Sequence, residues 1–165
     1  MKTTQKITAI GVLTAMYVVL SAMMKIPFIG NISLDLGYIV FAVACMAFGW
    51  YGIFVGVIGC ALESILFSAY GFSISWAVGN LIVGTVFCLF CKHSNTWIKV
   101  LGAIVGCALG ILLAKTCIEC YLYHIPFAVK VVKNAVACGV DALTMVIGIC
   151  LFNKLADNRI LPRNF

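Results

Sequence analysis

The amino-acid sequence predicts an all-α membrane protein, a bundle of six transmembrane helices with both termini on the cytoplasmic side. Of its 165 residues 64% are hydrophobic and 10% charged, and mean hydropathy is +1.17, too apolar for a water-soluble core with a polar surface. The apolar residues also fall in runs of up to about 20, the length a helix needs to cross a bilayer. Finally, the net charge of +6 rests largely on Lys2, Lys6, Lys92, Lys99, Lys154, Arg159 and Arg163, which flank those runs. That is the positive-inside pattern, so the expected surrounding is a lipid bilayer and nucleic acid is excluded. One integral membrane domain over residues 1–165 is expected.

The first run, residues 7–24, follows Lys2 and Lys6. A secretory signal begins the same way, but this run is longer than a usual signal core and no small-x-small cleavage site precedes Lys25, so a retained helix is expected. Gly11 and Ala15 form a small-xxx-small pair suited to close helix packing. Between Lys25 and Gly37 helicity is broken by Pro27, Gly30 and Gly37, and Asn31, Ser33 and Asp35 are polar. This outer loop is either a plain connector or a cover for a ligand.

The second span is expected at 38–48 and the third at 50–69, joined by the turn Phe48-Gly49-Trp50-Tyr51-Gly52. Gly52, Gly56 and Gly59 give the third span a packing side, and Glu63 stands part way along it. A carboxylate at that depth needs a polar cavity or a partner, which makes it either a site residue or a protonated group bonded inside the bundle. After an outer turn at Tyr70-Gly71-Phe72-Ser73, the fourth span, 74–91, places Trp76 and Asn80 on one face. Trp76 belongs either to a site or to an interfacial aromatic belt.

Lys92, His93 and Lys99 mark an inner loop before the fifth span, 98–123. Gly102, Gly106 and Gly110 form a packing stripe there; Lys115, Glu119 and Tyr123 form a second stripe, which α-helical geometry puts on roughly the opposite side. That second stripe either binds something or neutralises itself. After His124 and Pro126, the sixth span, 127–152, carries Lys130, Lys133, Asn134, Ala137, Asp141 and Thr144 on one helical face. Lysines on an inward stripe need acidic partners, water or an anionic ligand. Lys130 can instead snorkel to the headgroups, whereas Lys133 lies one turn deeper.

Nine cysteines include the pairs Cys88/Cys91 and Cys117/Cys120, at opposite ends of the expected bundle. Pairs that cannot converge make no four-ligand metal site, so they read as small core residues, and neither metal nor cofactor is expected. No phosphate-binding glycine loop, H-E-x-x-H or G-x-S-x-G occurs, and His93 and His124 lie on opposite sides, so an enzyme with catalytic residues is not expected. What remains is a binding pocket in a bundle too small for most complete secondary transporters.

In its length, its six expected spans, its Gly11/Ala15 first helix, its Phe48-to-Gly52 turn and the following Glu63, the chain resembles the substrate-binding S components of energy-coupling factor (ECF) transporters over nearly its whole length. Family members often have Gly-Pro in that turn, where this chain has Gly49-Trp50. The resemblance implies an outward-opening site built from the first outer loop and the last three helices. Within it the expected substrate-binding residues are Asp35, Tyr38, Glu63, Trp76, Asn80, Lys115, Glu119, Tyr123, Lys130, Lys133 and Asn134. It implies capture of a vitamin-like substrate outside, then toppling against a membrane coupling subunit driven by two ATPase subunits, with Gly11 and Ala15 as the docking face. A small stand-alone transporter or channel and a structural subunit are the competing readings. The lysines with Trp76, Tyr38 and Tyr123 suit an aromatic or heterocyclic anion, folate-like or pantothenate-like, against which Glu63, Glu119 and Asp141 count as neutralising charges.

Overall fold

Lipid offers no hydrogen bonds, so apolar runs that enter it close their backbone bonds internally as helices. A computed structural model describes residues 3–23, 26–29, 32–67 and 73–157. Lys2, Lys25, Gly30, Asn31, the turn at Tyr70-Gly71-Phe72, Arg159 and Arg163 lie outside the described residues. The helices are α1 (Thr3–Met23), α2 (Gly37–Phe48), α3 (Ile53–Phe67), α4 (Ile74–Phe90), α5 (Thr96–Cys107), α6 (Thr116–Tyr123) and α7 (Phe127–Asp157). A 3₁₀ turn, Gly49–Gly52, joins α2 to α3, and a π-helical segment, Ala108–Lys115, runs from α5 into α6 without a break. Among the described residues four stretches are long and apolar enough to cross a membrane, Thr3–Ala22, Gly37–Phe67, Thr96–Tyr123 and Phe127–Asp157, and Ile74–Phe90 is a shorter apolar helix. Large apolar side chains such as Ile58, Leu113 and Leu143 face outward, as they do where the surroundings are lipid. This is an integral membrane protein built as a helical bundle.

The expectation of an all-α chain is corrected at one place. Strands β1 (Ile26–Ile29) and β2 (Ile32–Leu34) pair antiparallel, Ile26 with Leu34 and Ile29 with Ile32. The sequence carries the cause: two short runs containing β-branched isoleucines flank the dipeptide Gly30-Asn31, a hairpin signature. Asp35 ties this hairpin to the bundle, its Oδ1 accepting from Ser21 Oγ at 2.6 Å and from the Gly37 N–H at 2.9 Å.

α2 lies at the centre, packed on α7, α1 and α4. Its Tyr38 and Phe41 are fully buried with Tyr17 of α1, Phe87 of α4 and Met145 and Ile149 of α7. Glycines set the approach distances. A Cβ at Gly56 would meet the Phe41 ring, and one at Gly110 would lie 2.5 Å from the carbonyl oxygen of Gly79, so α4 and the π segment touch backbone to backbone. Gly49, at φ 58° and ψ −129°, turns the chain in a region closed to most side chains.

One end of the bundle gathers the start of α1, the α2–α3 turn, the α4–α5 loop and the end of α7. Lys6 Nζ lies 5.9 Å from the Tyr51 ring centroid, Cys88 Sγ donates to the Gly49 carbonyl at 3.4 Å, and Asn153 Nδ2 donates to Thr96 Oγ1 at 3.2 Å. At the opposite end stand the hairpin and the α6–α7 turn, where His124 takes a left-handed φ of 52°.

Candidate functional site

The site is made by a departure from α-helical geometry. On an α-helix Lys115 would face away from Gly110, yet a Cβ at Gly79 would lie 3.1 Å from the Gly110 carbonyl oxygen and 3.6 Å from Lys115 Cβ. Both residues therefore face α4. A π turn bonds i to i+5 rather than i+4, so the residue five positions on returns to the same side. Thr116 Oγ1 follows this spacing, donating to the Ile111 carbonyl at 3.4 Å. The expectation of opposed stripes is corrected accordingly, with glycines and charges sharing the buried side.

Around Glu119 the polar side chains converge. Its Oε2 lies 3.1 Å from Lys130 Nζ and accepts from Asn134 Nδ2 at 3.3 Å; its Oε1 lies 3.8 Å from Lys115 Nζ and accepts from Ser75 Oγ at 3.4 Å. Lys115 also donates to Asn134 Oδ1 at 3.4 Å, and its ammonium sits 3.3 Å from the centroid of the Trp76 ring. Asn134 closes the group by donating to Thr116 Oγ1 at 2.9 Å. Lys115, Glu119, Asn134, Ser75 and Thr116 are buried and Trp76 is half-buried. Buried charges persist in an apolar setting when each has an opposite charge or polar partner, and this network supplies both.

A second polar pair lies where α2 meets α4. Tyr38 Oη donates to Asn80 Oδ1 at 2.6 Å, both side chains fully buried. Among the described residues Asp141 Oδ2 is buried without a hydrogen-bond partner, and Asn80 Nδ2 is buried with only the Cys60 thiol in reach. Burying such groups unpaired is costly, and they are the atoms a ligand would satisfy.

Of the residues expected in the site, Trp76, Lys115, Glu119, Lys130 and Asn134 come together, and Tyr38 and Asn80 pair beside them. Lys133 does not join them. It is exposed, because the buried edge of α7 runs through Asn134, Asp141, Thr144 and Gly148, and Lys133 lies a full 100° away from Asn134. Tyr123 is exposed too, its ring centroid 5.9 Å from Lys130 Nζ. Asp35 serves the hairpin junction. Glu63 stays half-buried on α3. On α1, Gly11 and Ala15 are exposed, and a Cβ on Gly11 would meet nothing within 4 Å. Ser75 and Thr116 are site residues the sequence reading passed over; each is a small polar residue beside one already singled out, Trp76 and Lys115.

The family described as the ECF-type riboflavin transporter, S component, matches residues 1–157. The chain belongs to that family. Among curated proteins none matches this S component. Among solved structures it is similar to the S component for biotin from an ECF-type ABC transporter, at a TM-score of 0.68 and 14% identity over 95% of each chain. At that identity the likeness shows the shared fold.

Proposed function

We propose that this S component captures a vitamin at the hairpin end of the bundle and hands it to an ATP-driven module made of a membrane coupling subunit and two ATPase subunits. The proposal includes a single membrane domain of six spans, with α2 and α3 counted separately and both termini cytoplasmic. The collection of α1's start and α7's end on the Lys6, Lys92, Lys99 and Lys154 side supports that orientation. The open Gly11/Ala15 face of α1 is the docking surface we assign to the coupling subunit.

The observation that carries the substrate reading is a pair of buried atoms, Asp141 Oδ2 and Asn80 Nδ2, that have no oxygen or nitrogen partner among the described residues. One donor and one acceptor suit a heterocycle that presents a carbonyl and an N–H, as the flavin ring does, and the family described above is one of riboflavin transporters. An anionic substrate is supported less well, because Glu119 already engages both Lys115 and Lys130. The test is titration of the purified chain with riboflavin and a panel of other vitamins, followed by flavin or protein fluorescence. Saturable binding of riboflavin, weakened at least about tenfold by Asn80→Leu as expected for a lost hydrogen bond of roughly 1.4 kcal/mol, supports the reading. Binding of no vitamin at all overturns it, and uptake by liposomes holding this chain without ATPase partners would instead favour a stand-alone transporter.

A further inference from the structure

At the opposite end of the bundle from this network, a cleft of about 360 Å³ opens between the α4–α5 loop and the last turns of α7. Lys92, His93, Lys99 and Asn153 line it, with Phe152 as an apolar wall and Asp157 as its carboxylate. Among the described lining residues, two ammonium groups against one carboxylate leave the cleft positive. The α2–α3 turn at the same end exposes Trp50 and Tyr51, and Trp97, beside the cleft at the start of α5, is 80% exposed. Aromatic side chains that are open to the surroundings at one end of a membrane bundle mark the headgroup level of the bilayer. A cleft at that depth, cationic on one side and apolar on another, matches a group that is anionic at its head and continues into hydrocarbon.

We propose that this cleft binds the phosphate of an acidic phospholipid headgroup. Lys92 and Lys99 would hold the phosphate oxygens, and Phe152 would meet the glycerol and first methylenes. Basic pockets between helices on the cytoplasmic side commonly hold such lipids. The lipid proposal rests on the cytoplasmic orientation proposed above, but its residues are none of those assigned to vitamin binding, so failure of either binding test leaves the other intact.

The experiment uses the full chain, delipidated in detergent and then supplied with phosphatidylglycerol, phosphatidylcholine or inorganic phosphate. Retained lipid is read by native mass spectrometry and stability by the melting temperature. Phosphatidylglycerol should remain bound and raise the melting temperature, and phosphatidylcholine should do neither. The double variant Lys92→Gln, Lys99→Gln should stay folded and lose phosphatidylglycerol affinity about thirtyfold, as two interfacial lysines imply. Should the double variant be unstable, Lys92→Gln alone, in the exposed loop, should lose about fivefold. Equal retention of the two lipids, or unchanged affinity in a folded variant, overturns the proposal. Stabilisation by inorganic phosphate as strong as by phosphatidylglycerol overturns the lipid assignment in favour of a free phosphate.

Discussion

The Lys115 ammonium rests 3.3 Å from the centroid of the Trp76 ring while keeping Glu119 Oε1 at 3.8 Å. A desolvated cation over an indole gains about 2 kcal/mol, so the ring acts as the second partner of a charge whose first partner is a carboxylate. Trp76→Leu should therefore lower the melting temperature of the ligand-free protein by the equivalent of about 2 kcal/mol, and Trp76→Phe by less, since a benzene ring keeps part of the attraction. Equal losses in the two variants would show that the ring contributes bulk alone.

Glu119 is the point on which the network depends. Replacing it with glutamine keeps the size and one acceptor but leaves Lys115 and Lys130 without their shared carboxylate. Removing one member of a buried ionic group costs about 3–5 kcal/mol, so Glu119→Gln should be the most destabilising conservative change in the site. Adding Lys115→Met should recover part of that loss by removing the stranded charge. A double variant that melts at the sum of the two single losses would show that the charges are not coupled.

Backbone contact predicts a further cost. The Cβ of Gly79→Ala would stand 3.1 Å from the Gly110 carbonyl oxygen, and that of Gly110→Ala 2.5 Å from the Gly79 oxygen, where neither backbone can yield without separating α4 from the π segment. Overpacking of this kind costs typically about 1–3 kcal/mol, and Gly110→Ala should cost more than Gly79→Ala. Because Lys115 hangs on the same segment, vitamin binding should weaken along with the melting temperature. Gly139→Ala, in open space on α7, is the control: it should leave binding unchanged and the melting temperature the same or slightly higher, since alanine is the better helix former.

Much of this fold is legible in the sequence because its causes are local. The glycine stripes at 52, 56, 59 and at 102, 106, 110 announce close helix contacts, and each meets a neighbouring helix. The Trp76, Lys115, Glu119 and Asn134 cluster is legible because charge and amide in an apolar run stand out. What sequence could not supply is rotation. The π segment at Ala108–Lys115 turns Lys115 onto the glycine side, and nothing in the composition of ALGILLAK distinguishes it from an α-helix. The same limit applies to α7, where a stripe wide enough to include both Lys133 and Asn134 hides which of its edges is buried. The hairpin was available in principle, through Gly30-Asn31, but the prolines and glycines around it suggest only a loop.

That rotation separates two neighbouring lysines sharply. Lys130 Nζ stands 3.1 Å from Glu119 Oε2 with a side chain 19% exposed, whereas Lys133 is exposed. Lys130→Met should weaken vitamin binding or lower the melting temperature by the equivalent of about 1.5–3 kcal/mol, the range for a hydrogen bond to a charged group. Lys133→Met should leave both within about 0.5 kcal/mol, as surface changes away from a site usually do. Loss of affinity in Lys133→Met with Lys130→Met unaffected would reverse the assignment.

The last prediction concerns α1, whose small residues have no use inside the described bundle. Gly11 and Ala15 are exposed, and a Cβ at Gly11 meets nothing within 4 Å, in contrast to Gly56 or Gly59, which are filled by the Phe41 and Tyr17 rings. On the buried side of the same helix, Thr14, Tyr17 and Ser21 do the packing. Small residues on an open helix face let a second helix approach closely, through dispersion that bulk would block. Gly11→Leu and Ala15→Leu should therefore leave the isolated protein folded and its vitamin affinity unchanged, since the polar network lies on α4, the π segment, α6 and α7. Uptake by the assembled transporter should fall to near the level seen without the ATPase subunits, and the variants should no longer co-purify with the coupling subunit. Lipid facing that surface would give the opposite result, because leucine is at home in hydrocarbon and uptake would persist. Measuring affinity, co-purification and uptake on the same two variants separates the outcomes, and full uptake in either variant removes that residue from the docking face.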